Sequence, residues 1–113
     1  MQIQVNTDNQ VQGEESLASW AERELRERLH RFGEHITRIE VHLSDINGAR
    51  VSEQDKRCSL EARIAGRRPL TVSHDAGKVA DALYGASDKL ARALDTALGR
   101  VRDARGRDTV RGR

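Results

Sequence analysis

In this 113-residue chain, Lys89, Arg92, Thr96 and Arg100 recur at intervals of three or four residues within its longest helical pattern. At 100° per residue they fall on one flank of a helix, while Asp81, Asp88 and Asp95 fall on the opposite flank. A basic flank about three turns long matches a ridge of phosphate oxygens. Arginine grips two such oxygens with its planar fork, and lysine contributes a compact point charge. Arg67 and Arg68, together with the arginines beyond Asp103, extend the same field. Spacing alone leaves three readings open: a solvated amphipathic helix, a polyanion-binding helix, or a helix that meets an acidic protein partner.

Other chemistry finds less support. His30, His35, His42 and His74 show no i,i+4 pairing on a helix and no alternate pairing on a strand, and the lone Cys58 has no zinc spacing. Cys58 falls on an apolar strand face, where a free thiol behaves as a small apolar group. Gly66-Arg67-Arg68 joins two strands, unlike a glycine-rich phosphate loop that enters a helix. Catalytic residues, metal, cofactor and small-molecule substrate are therefore not expected. Trp20, Phe32 and Tyr84 are the only aromatics. That is too few for a platform on which successive single-stranded bases stack.

The elements that must position the basic flank follow from periodicity. Gln2 to Asn6 alternates as a short strand, and Glu14 to Phe32 changes to helical spacing with Leu17, Ala21, Leu25, Leu29 and Phe32 on one stripe. The polar face of that helix, with Glu22, Arg23, Arg26, Glu27 and Arg31, is expected to neutralise itself along the helix, and Gly33 to end it. Three further strands alternate around Ile39-Val41-Leu43, Cys58-Leu60-Ala62-Ile64 and Leu70-Val72. A polar loop containing Asn47-Gly48 and a tight connection at Gly66-Arg67-Arg68-Pro69 separate them. Ser73 or Asp75 is expected to cap the last helix. Its apolar seam runs Val79, Leu83, Ala86, Leu90, Leu94, Ala97, Val101, and Gly99 weakens it by about 1 kcal/mol relative to alanine.

The order β-α-β-β-β-α predicts an α+β domain over residues 1–103 with a four-stranded mixed sheet. The first two strands are parallel neighbours, the rest meander antiparallel, and both helices cover the one apolar face. Residues 104–113 read as a disordered basic tail. Charge is divided unevenly. Residues 1–66 hold nine Lys/Arg against twelve Asp/Glu, and residues 67–113 hold eleven Lys/Arg against six Asp. The net charge of +2 therefore conceals a basic C-terminal half. No apolar run approaches the ~20 residues of a membrane span, and no signal-peptide pattern opens the chain. A cytoplasmic location is expected.

The segment Asp88-Lys89-Leu90-Ala91-Arg92-Ala93-Leu94 closely resembles the D-K-L-x-R-Q-L helix of the ribosome hibernation promoting factors, also called ribosome-associated inhibitors or ribosomal subunit interface proteins. Met1 to Val5 resembles the first strand of that family and Leu17 to Phe32 its first helix, so the resemblance covers residues 1 to about 102. It implies a double-stranded-RNA-binding-domain-like architecture. It also implies a site on the small ribosomal subunit, where 16S rRNA is contacted and the mRNA and tRNA channel is blocked under stress or in stationary phase. Lys89 and Arg92 match the family's basic residues, and Arg100 falls in its more variable basic extension. Where the family has an acidic residue followed by Met-Tyr, this chain has Lys78-Val79-Ala80, and Tyr84 lies one turn later. Resemblance to the short form of the family implies a monomer away from the ribosome. Two other readings stand beside this one: a general structured-RNA-binding module, and a protein-interaction regulator without RNA.

Overall fold

The computed structural model describes residues 1–7, 15–45 and 55–106, and the side chains of all of these except 15, 16 and 100–106. Its elements are β1 (Gln2–Thr7), α1 (Glu15–Arg28), a single 3₁₀ turn (His30–Phe32), β2 (Ile36–Asp45), β3 (Lys56–Ile64), β4 (Leu70–Ala76) and α2 (Val79–Gly106). The sheet order is β1-β2-β3-β4. β1 and β2 run parallel with Ile3 opposite Ile39, and the two following pairs are antiparallel. The parallel pair requires a crossover, which α1 supplies. Antiparallel pairing then places the remaining strands side by side in sequence order.

Alternation, interrupted only by a register shift between Ile36 and Arg38 at the start of β2, divides the described strands into two faces. Ile39, Val41, Leu43, Cys58, Leu60, Ala62 and Ile64 are buried on one, where α1 adds Ala21, Leu25 and Leu29 and α2 adds Ala82, Leu83, Ala86, Leu90 and Leu94. The other face carries Gln4, Arg38, Glu40, Glu61 and Arg63, whose charges pair within the face: Arg38 with Glu40 and Arg63 with Glu61. One dry face and one wet face are what the alternating pattern requires. Burial pushes the Cys58 thiol up to about 12, which keeps it protonated and inert at neutral pH.

Three local expectations are corrected. The first helix does not run on to Phe32. Its last α-type bond joins the Leu29 N–H to the Leu25 carbonyl, and 3₁₀ bonds from Phe32 to Leu29 and from Gly33 to His30 follow. This tighter turn drives Phe32 into the core on the way to β2. Gly33 itself has right-handed φ and ψ, so it is not a left-handed stop. Ser73 and Asp75 do not cap α2, because β4 continues through them, paired with Ser59 and Arg57, to Ala76. The first turn of α2 instead closes with the Ala82 N–H on the Lys78 carbonyl, and Asp81 places negative charge near its positive end.

The β3–β4 connection turns at Gly66, whose φ of 74° is a left-handed conformation that a side chain would disfavour. α2 continues to Gly106. The Asn47-Gly48 loop and residues 107–113 of the tail lie outside the described residues. Among the described residues, no helix is long and apolar enough to cross a membrane.

Candidate nucleic-acid interface

α2 lies on the sheet with its buried seam down, so its two charged flanks face different surroundings. The acidic flank faces α1 and the 3₁₀ turn. Arg31 donates from Nη1 and Nη2 to the two carboxylate oxygens of Asp95 at 2.7 and 2.9 Å, a forked pair. Arg28 approaches Asp88 at 3.6 Å and donates weakly to the buried Ser87 hydroxyl, which itself donates to the Tyr84 carbonyl. Arg28 also lies 4.0 Å from the centre of the Tyr84 ring, and Trp20 meets that ring edge-on at 6.1 Å. Tyr84 is therefore engaged on the α1 side, and its ring does not stand in for an aromatic on the basic flank.

The basic flank faces outward. Lys89 is exposed, and its Nζ donates to the Ser73 carbonyl of β4 at 2.8 Å, which anchors the ammonium at the surface. The Arg92 side chain is exposed and forms no hydrogen bond or ion pair among the described residues, and the same holds for the side chains of Arg67, Arg68 and Lys78. The side chain of Arg100 lies outside the described residues. The Lys89–Ser73 contact ties this flank of α2 to β4, while Arg67 and Arg68 lie in the β3–β4 connection ahead of Leu70, where β4 begins.

Sequence reasoning missed the cross-element pairing of Asp88 and Asp95; Asp81, the third aspartate of that flank, is exposed and has no ion pair among the described residues. The α1 cations were expected to pair within their own helix, yet among the described residues only Arg26 and Glu22 do so at 3.0 Å, while Arg31 crosses to α2. No spacing signals a pair separated by 64 positions. Asp75 is likewise held by Arg57 across the strand ladder at 2.7 and 3.1 Å, which keeps its carboxyl below the usual carboxylate range. Among the described residues, no group of three or more His, Cys, Asp or Glu is placed to hold a metal.

A mixed four-stranded sheet with both helices on one face defines this chain as a small α+β domain of known type. It superposes on the crystal structure of the Thermus thermophilus Protein Y N-terminal domain with a TM-score of 0.67 at 18% identity, covering 85% of this chain and 98% of that one. A ribosomal subunit interface protein from Coxiella burnetii gives a TM-score of 0.65, also at 18% identity, covering 88% of this chain and 99% of that one. The family model described as sigma 54 modulation protein / S30EA ribosomal protein matches residues 3–105, and the chain belongs to that family. The family is described by ribosomal and modulation roles and not by a reaction. No curated protein matches the chain.

Proposed function

We propose that this protein is a cytoplasmic ribosome hibernation factor, a monomer away from the ribosome. It binds the small subunit through 16S rRNA phosphates and blocks the mRNA and tRNA channel during stress or in stationary phase. The observation that carries this reading is the separation of charge on α2: the aspartates facing α1 are matched by Arg28 and Arg31, while Lys89 and Arg92 remain directed to solvent. The helix therefore presents cations outward although the whole chain is nearly neutral. Arg67, Arg68 and Arg100 extend this row. Family membership and a neighbour described as a ribosomal subunit interface protein support the choice of partner.

Inhibition would require no bond to be made or broken. A rigid sheet carries the helix into the channel, and its bulk excludes mRNA and tRNA. Because the contacts are to phosphates, affinity falls steeply with salt. Sedimentation through sucrose gradients at low and moderate salt tests the proposal. Migration with small subunits or whole ribosomes at low salt, lost as salt rises, is expected. Failure to migrate with either at low salt refutes it. Equal affinity for an arbitrary RNA duplex and for small subunits would favour a general structured-RNA module.

A further inference from the structure

Between β4 and α2 lies a polar notch of about 320 Å³, lined by Ser73, His74, Asp75 and Lys89. The notch is open to solvent and its lining is mainly polar. Next to the notch, a Cβ at Gly85 would overlap the His74 ring, so a side chain there would force that ring to move. Lys89, one turn further along, is fixed by its bond to the Ser73 carbonyl and keeps donors to spare, because an ammonium has three.

Asp75 is fixed as well. Arg57 grips both of its oxygens, leaving each with a further lone pair, and the side chain remains 30% exposed. The notch thus holds an arginine-paired carboxylate acceptor and a cationic donor along the same lining. A bare phosphate would be attracted by Lys89 and repelled by Asp75, and a divalent cation the reverse. A ligand that joins a hydroxyl donor to a nearby anion satisfies both.

We propose that this notch is a ribose–phosphate subsite, in which Asp75 accepts the 2′-hydroxyl of a nucleotide whose phosphate is held by Lys89. It is then the point at which the protein distinguishes RNA from DNA, since the 2′-hydroxyl is the group that differs. The inference rests on the rRNA-binding reading and adds a residue of the opposite charge, which a search for phosphate contacts alone would discard.

Fluorescence anisotropy at about 50 mM salt with duplexes of about 16 base pairs tests it. The duplexes are RNA, its 2′-fluoro analogue, which keeps the A form but cannot donate, and DNA. Wild type is expected to prefer RNA to the 2′-fluoro duplex by about tenfold, the worth of one hydrogen bond to a charged acceptor. Asp75→Ala should bring that ratio near one, while its affinity for both duplexes rises as Arg57 is released. Glu61→Ala removes an equal charge from another arginine-paired strand position and should leave the ratio unmoved. The wild-type ratio is decisive without any variant. Equal binding of RNA and 2′-fluoro RNA overturns the subsite and leaves ribosome binding standing. So does an unchanged ratio in folded Asp75→Ala, or a wild type that sediments with subunits yet binds no RNA duplex. Loss of both duplex binding and co-sedimentation overturns the subsite together with the reading beneath it.

Discussion

Along one flank of α2, Asp88 and Asp95 are met by Arg28 and Arg31, the second pair as a fork at 2.7 and 2.9 Å. Along the other, Lys89 reaches a main-chain carbonyl and Arg92 reaches no partner among the described residues. The two flanks belong to one helix with an almost regular alternation of sign, yet only one is left to act on a ligand. Their difference lies in what faces them. A carboxylate opposite a guanidinium contributes little outward field, whereas a solvated ammonium or guanidinium keeps a field that reaches about a Debye length. Net charge is therefore a poor guide to this surface, and local compensation is a better one.

The comparison can be broken most severely by reversing the open flank. Lys89→Glu with Arg92→Glu should weaken ribosome association by about a hundredfold or more, because each change deletes a phosphate contact and adds a repulsion. The melting temperature should stay close to that of wild type, since both side chains are exposed. Retained co-sedimentation by a folded double variant would place the binding surface elsewhere. Single neutralisations, Lys89→Gln or Arg92→Gln, should each reduce the slope of log affinity against log salt by about one phosphate's worth.

The closed flank offers a smaller effect. Arg31→Gln should release the negative field of Asp95 and weaken ribosome binding by about three- to tenfold at low salt, with the difference shrinking as salt screens it. Adding Asp95→Asn should restore most of the loss. If Arg31→Gln has no effect, compensation by α1 is irrelevant to binding. Two glycines of α2 refine the role of the seam between the flanks. A Cβ at Gly99 meets nothing within 4 Å, so Gly99→Ala should raise stability by about 0.5–1 kcal/mol in denaturant titrations. Gly85→Ala should instead destabilise, because the new methyl group meets His74.

The smallest effect is on pH dependence. Arg57 lowers the Asp75 pKa in the folded chain, so this pair contributes stability above the unfolded value of about 3.9. That contribution is lost as pH falls through the lower folded value. Asp75→Asn should flatten this part of the acid limb, measured as melting temperature between about pH 5 and 2. An acid limb identical to that of wild type would show that the Arg57–Asp75 pair is not maintained in solution.

Much of the frame was legible from local pattern. Alternation at Ile39-Val41-Leu43 and Cys58-Leu60-Ala62-Ile64 identified the sheet face, and the Leu83-Ala86-Leu90-Leu94 seam oriented α2. The sidedness of Lys89 and Arg92 followed from helical angle. Local signals misled where two rules competed. Ser73 and Asp75 are good caps by residue type, but the β3–β4 ladder claims both. Gly33 is a good helix stop by type, but a 3₁₀ turn ends the helix earlier and buries Phe32.

The sequence by itself determined the element order, the apolar faces and the opposite signs of the two α2 flanks, because these depend on side-chain type and on periods of two and 3.6 residues. Only the tertiary structure decided which flank is neutralised, which face of Tyr84 is covered and that Asp75 and Lys89 share a notch. The partners concerned lie up to 64 positions apart, and nothing in local spacing encodes the distance between them.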